Sequence, residues 1–271
     1  MKQALDFRDE SRALHALLEP LADRDFSLTT RFKNWSLDAI VAHLHFYNLM
    51  ADLTLKDEAR FHETMGRVRA LRANGETMVS STDIMLEGLK GRALLAAWQA
   101  GFEQIADDWS TVDPRRRLPW VGPSMSARSS ISARLMETWA HGQAIYDLMA
   151  VERQNTDRID NIVVMGVNTF GWTFSNRGLP VPAQPPALRL TAPSGAVWTY
   201  NDPLADSRIE GSATEFCQVV TQVRNVADTQ LTVQGDIATR WMSMAQCFAG
   251  PPHDPPAPGT RLREAVAPRV G

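Results

Sequence analysis

Cysteine is scarce in this chain. Only Cys217 and Cys247 occur in 271 residues, too few for a disulfide framework, and no C-x-x-C pair offers the corner of a zinc ribbon. No stretch approaches the about 18–20 uninterrupted apolar residues that a membrane span needs. The first residues, Met-Lys-Gln-Ala-Leu-Asp-Phe-Arg-Asp-Glu, mix both charge signs and lack the apolar core of a signal peptide. Positive charge is not in excess, since 28 Lys and Arg face 31 Asp and Glu for a net charge of -3, which argues against a nucleic-acid binder. Neither G-x-S-x-G nor a phosphate-loop pattern is present. The 44% of hydrophobic residues is ample for a core and excludes global disorder. These absences lead to the expectation of a cytoplasmic protein that binds neither nucleic acid nor membrane.

The first half has helical periodicity. Leu14, Leu17, Leu18 and Leu21 make an apolar stripe that Pro20 kinks or ends. Ser36 has the character of an N-cap, with Asp38 in the first turn of a helix over about 37–55 that carries Ile40, His43, Leu44, Tyr47 and Met50 on one face. Residues 29–34 read as a polar loop, and residues 56–90 as a less regular stretch with Arg67, Arg69 and Arg72 as a basic strip. Leu95, Trp98, Phe102, Ile105 and Trp109 mark a further helix closed by Asp113-Pro114. Leu118 to Pro123 cannot be helical, and Ser126 or Ser129 can cap a helix over about 127–150. Four long helices joined by loops predict a bundle.

The second half changes character. A helix over 159–174 stops at Asn176-Arg177-Gly178-Leu179-Pro180, and alternating segments at 187–191 and 196–200 flank Pro193-Ser194-Gly195 as a hairpin. Ser212 is expected to cap a helix running through Arg224, followed by a strand over 230–233 and a last helix from Asp236 to Gly250. The proline-rich tail from His253 reads as loose. The boundary between halves falls near residue 153. The eight tryptophans read mostly as core or interface anchors, and the two cysteines as inert small hydrophobes.

Glu137 and His141 are four apart on the predicted fourth helix and project from one face. A carboxylate and an imidazole so spaced can grip one cation through bonds of about 2.0–2.2 Å. Equally, Glu137 can pair with Arg134 and His141 can be a hydrogen-bonded core residue. His43, His45 and His62 are candidates for a third ligand; His15 and His253 fall on segments that read as exposed or loose. His43 lies on an apolar stripe, where an imidazole is costly without a partner, while His45 points about 160° away.

Asn34-Trp35-Ser36-Leu37-Asp38-Ala39-Ile40-Val41-Ala42-His43-Leu44, with Glu137-Thr-Trp-Ala-His141-Gly-Gln, resembles the DinB-like superfamily and, within it, the mycothiol-dependent maleylpyruvate isomerase type. Glu210 to Cys217, Arg224 and Leu231 to Asp236 resemble the smaller domain appended in that group. The resemblance implies an α+β protein, with an N-terminal DinB-like four-helix bundle over 1–153 and a C-terminal α/β domain over 154–271. It also implies one divalent metal held by His43, Glu137 and His141. Two nitrogens and one carboxylate suit zinc best, although nickel, iron or manganese accept the same donors.

By the same resemblance, Arg224 matches an arginine near the metal cleft, where a guanidinium holds a substrate carboxylate bidentately. Its alternative role is a surface arginine complementing a helix C-terminus. The implied activity is a thiol-assisted isomerisation or transfer on a small carboxylated substrate, with mycothiol or glutathione as the thiol, by a monomer or homodimer. A metal-dependent hydrolase or hydratase, and a non-catalytic metal-binding protein, are the competing expectations.

Overall fold

Apolar stripes at helical spacing become the long helices of the computed structural model, which describes residues 1–262. Helix α1, Lys2–Leu18, buries Phe7, Leu14 and Leu18 and ends before Pro20, which cannot continue it. Helix α2, Leu37–Lys56, starts at Ser36, whose hydroxyl accepts from the Ala39 amide at 3.1 Å. Residues 56–90 differ from expectation, because they hold two helices, α3 at Glu58–Ala73 and α4 at Met78–Met85. The apolar stripe of α3 is only Phe61, Met65 and Val68, set among charged residues, and it becomes legible only where it packs on Phe46 and Met50 of α2.

Helix α5, Gly91–Ser110, buries Leu95, Trp98, Phe102, Ile105 and Trp109. Its N-terminus is fastened by two carboxylates. Asp38 of α2 accepts from the Gly91 amide at 2.7 Å, and Asp23 accepts from the Arg92 amide at 2.8 Å. Gly91 has φ +60°, and a β-carbon there would collide with the Asp23 carboxylate; the position requires glycine. Strands β1, Arg117–Leu118, and β2, Met125–Ser126, pair antiparallel around the non-helical segment. Helix α6, Ala127–Leu148, starts where the Ser126 hydroxyl accepts from the Ser129 amide. Helix α1 packs on α5 and α6, α2 packs on the same two, and α3 and α4 lie against α2. These elements form one compact unit, Met1–Leu148; a second begins at Met149.

His15 lies in the core of the first unit and is buried, contrary to its expected exposure. Its ring contacts Trp98 at 6.5 Å and Phe102 at 6.4 Å between centroids. Burial lowers its pKa below the ordinary 6.5, with Glu19 and Glu103 opposing and Arg92 adding to the shift. The unfolded chain therefore takes up this proton at a higher pH than the folded protein does. The stability that His15 contributes is whole above pH 6.5 and falls as pH drops towards the lower folded value. Each pH unit of separation carries about 1.4 kcal/mol. Urea unfolding at about pH 7.5 and about pH 5.5 should show a smaller acid loss for His15→Gln than for the parent; equal losses would place the acid sensitivity elsewhere.

In the second unit, the expected single helix over 159–174 is two, α7 at Asp160–Asn168 and α8 at Phe170–Ser175. The Thr169 hydroxyl turns back to the carbonyls of Met165 at 2.8 Å and Gly166 at 3.1 Å where the helix breaks. Strand β3, Ala187–Thr191, pairs antiparallel with β4, Val197–Tyr200, as the hairpin pattern predicts. An unpredicted strand, β5 at Arg208–Ser212, runs parallel to β3, and β6 at Thr232–Gln234 completes the order β4-β3-β5-β6. Only Ile209 of β5 is buried, and Gly211 interrupts any alternation, so the strand has no pattern of its own.

Helix α9 spans Ala213–Val220 and α10 spans Asp236–Met244, both shorter than expected. Trp241 of α10 centres the core, edge-on to Phe170 at 5.1 Å and Phe216 at 5.7 Å. Cys217 and Cys247 are buried and carry no disulfide, and burial pushes the Cys217 thiol well up, which makes it inert.

The tail is not loose as far as residue 262. Gln222 donates to the His253 carbonyl at 2.6 Å, Asn225 to the Pro256 carbonyl at 2.9 Å, and Arg177 pairs with Asp254 at 2.8 Å. The rest of the expected loose tail, residues 263–271, lies outside the described residues. The architecture is α+β, with a helical N-terminal unit and a sheet-containing C-terminal one.

Candidate metal centre

Two neighbouring helices of the first unit supply the site. On α6, Glu137 and His141 stand one turn apart, and His43 comes from α2. The Nε2 of His43 lies 3.1 Å from Glu137 Oε2, and the Nε2 of His141 lies 3.0 Å from the same oxygen. One ligand atom from each of the three residues falls within a 4.8 Å cluster. Neighbouring donors about 3 Å apart are what a cation with bonds of about 2.0–2.2 Å requires, and two nitrogens with one carboxylate oxygen suit zinc. The side chains are 11%, 24% and 14% exposed for His43, Glu137 and His141, so the centre is enclosed but reachable from the glutamate side.

Burial pushes His43 down to about 4, against the opposing hydrogen bond to Glu137. It is therefore neutral at neutral pH, the form that ligates. Burial pushes Glu137 up, but the hydrogen bonds from His141 and His43 outweigh it and hold the carboxyl well below the usual range. An anionic oxygen between two imidazoles is a donor set that could hold a cation.

The competing pairing of Glu137 with Arg134 is not formed. Arg134 is buried, donates from Nε to Asn48 Oδ1 at 3.1 Å and lies over the Tyr47 ring at 5.9 Å. Of the other candidate ligands, His45 is buried against Gly101 of α5. His62 is exposed on α3, 3.4 Å from Glu58. Arg67, Arg69 and Arg72 are exposed on the same helix. His253 is fixed in the second unit by Gln222.

Residues 7–146 match the family described as mycothiol maleylpyruvate isomerase N-terminal domain. The chain belongs to that family. It is also 36% identical over 247 residues to two proteins of Mycobacterium tuberculosis, the uncharacterized proteins MT0041 and Rv0036c, covering 91% of this chain and 95% of each relative. Among solved structures it resembles the mycothiol-dependent maleylpyruvate isomerase with a TM-score of 0.53 and 12% identity, over 86% of this chain and 91% of that one. A histidine-to-alanine mutant of that enzyme matches with a TM-score of 0.50 over 80% and 87%. At this identity the likeness concerns the fold.

Within this member of the mycothiol maleylpyruvate isomerase family, Arg224 lies in the second unit, four residues beyond the end of α9 at Val220. It is 8% exposed, with Nη1 donating to the Val223 carbonyl at 3.2 Å. A surface arginine on a helix terminus is thereby excluded. The aromatic surround of the candidate centre was only partly foreseeable. Trp35 stacks on His141 at 5.7 Å and 5° and touches His43 at 5.4 Å. Phe32 meets His141 edge-on at 4.9 Å, and Tyr47 meets His43 at 4.8 Å. Phe32 stands inside what reads as a polar loop, and its one visible signal is being the sole aromatic in a hydrophilic run.

Proposed function

We propose that this protein is a metal-dependent enzyme that uses a low-molecular-weight thiol, mycothiol or glutathione, to isomerise a small carboxylated substrate or to transfer the thiol to it. The observation that carries this is the convergence of His43, Glu137 and His141 on one point in a chain of this family. A divalent cation held by these donors, zinc by their chemistry, supplies Lewis acidity that favours thiolate over thiol at neutral pH. Three protein donors are the number found in catalytic zinc sites, where structural ones have four.

The chain's own residues do the rest. His43 stays neutral and Glu137 anionic, so the donor set needs no proton removed from either at neutral pH. Phe32, Trp35 and Tyr47 wall the histidines with ring surface, which excludes water and strengthens the electrostatics inside. In the isomerisation, thiolate adds to one carbon of a cis double bond, the resulting single bond rotates, and loss of the thiolate leaves the trans product. No electrons or protons are consumed overall. Arg224 is assigned to the substrate carboxylate. The protein acts in the reducing cytoplasm, where a thiol co-substrate persists and cysteines outside disulfides are the rule.

The test is turnover. Zinc-loaded protein with mycothiol should convert maleylpyruvate to fumarylpyruvate, and omission of thiol should stop it. No conversion with either mycothiol or glutathione would overturn the thiol assignment. Arg224→Met should lower kcat/KM by about 10–150-fold, the equivalent of a lost charged hydrogen bond of about 1.5–3 kcal/mol. A kinetically silent variant would return Arg224 to the architecture of the second unit.

A further inference from the structure

A histidine that ligates a metal through one ring nitrogen usually donates its other N–H to a carboxylate, a carbonyl or water, which fixes the plane of the ring. This site lacks that arrangement. Among the described residues, the Nδ1 atoms of His43 and His141 are buried and have no hydrogen-bond partner. Something else must hold the two rings.

The contacts available are aromatic. The Trp35 indole lies parallel to the His141 ring, with 5° between planes, and the same indole meets His43 at 59°. One side chain thus touches both imidazoles, which are themselves 4.6 Å apart. Trp35 is held by a turn built for the purpose. Lys33 and Asn34 both take left-handed backbone angles, φ +52° and +57°, a conformation that L residues other than Asn adopt at a cost. The Thr30 amide and hydroxyl both donate to the Trp35 carbonyl, at 2.8 and 3.0 Å, and the Trp35 amide donates to the Phe32 carbonyl at 2.9 Å. The turn hands over to Ser36, the N-cap of the helix that carries His43. Phe32, from the same turn, meets Trp35 at 5.2 Å and His141 at 4.9 Å.

We propose that Trp35 is a positioning residue for the metal ligands, orienting His141 by stacking and His43 by a tilted ring contact in place of hydrogen bonds at Nδ1. This rests on the metal assignment above. The indole is only partly buried, so its role is distinct from that of the fully buried core tryptophans, such as Trp98.

The experiment measures zinc affinity of the full chain by competition with a chromophoric chelator, and the visible absorption of the cobalt-substituted protein. Outer partners of metal ligands typically contribute 10–100-fold to affinity. Trp35→Leu, which keeps apolar bulk without a ring face, should weaken zinc binding by about that factor and alter the cobalt bands. Trp35→Phe should bind within about threefold of the parent. Trp172→Leu, at an exposed tryptophan of the second unit, should bind as the parent does. Parental affinity and cobalt bands in Trp35→Leu would overturn the proposal. Weak binding by Trp35→Phe equal to that of Trp35→Leu would also overturn it, by showing that any change at this position suffices. A parent chain that binds no zinc would overturn the metal assignment itself, a separate outcome visible before any variant is made.

Discussion

Purified His43→Ala and Glu137→Ala proteins are expected to come through dialysis against a chelator without zinc, under conditions that leave the parent loaded one to one. Each change removes one of three donors that meet within 4.8 Å. Binding free energies of about 10–16 kcal/mol for four-ligand zinc sites put one ligand at several kcal/mol, so affinity should fall by roughly a thousandfold. The two variants fail differently. His43→Ala leaves Glu137 with His141 still donating at 3.0 Å, and the pair should fold as before. Glu137→Ala takes the acceptor from both imidazoles at once, with a stability loss of about 1–3 kcal/mol for the unsatisfied groups. Metal analysis beside urea unfolding separates the two effects, and undiminished zinc in both variants would remove these residues from the site.

The second large effect concerns the core. Trp98 is fully buried on α5, against His15 and Phe102, and Trp98→Ala should cost about 3–5 kcal/mol. Its indole N–H has no hydrogen-bond partner among the described residues, so the substitution gives up no hydrogen bond. The whole loss is transfer free energy and cavity. Trp98→Phe, which refills most of the space, should accordingly recover more than half. Calorimetry would read the alanine variant as a fall in Tm of roughly 10 °C. A loss under about 1 kcal/mol would mean that the helices collapse onto the vacated volume.

The helices that carry the site were legible because each buries a broad stripe. Leu95, Trp98, Phe102, Ile105 and Trp109 repeat at helical spacing, and Ser36 with Asp38 signals a start. Glu137 and His141 declared themselves by a spacing of four; His43 could be selected over His45 and His62 only by resemblance. The parts that escaped depend on partners distant in sequence. Helix α3 has three buried apolar residues and is defined by the surface of α2 that receives them. Strand β5 exists because β3 and β6 flank it. The attachment of Arg134 to Asn48 spans 86 positions, a distance over which local pattern carries no signal. Phe32 escaped for another reason. Its neighbours are polar, and only the left-handed pair Lys33 and Asn34 turns the chain so that this ring reaches a histidine.

The bond from Asp38 to the Gly91 amide acts like a dowel between two beams. Asp38 sits five positions before His43, about 7–8 Å along the helix axis. Because α2 is pinned end-on to α5 at that point, it cannot creep lengthwise by a residue without breaking a 2.7 Å hydrogen bond. The lengthwise position of His43 against α5 is thus set by a joint about a turn and a half of helix away from the candidate centre.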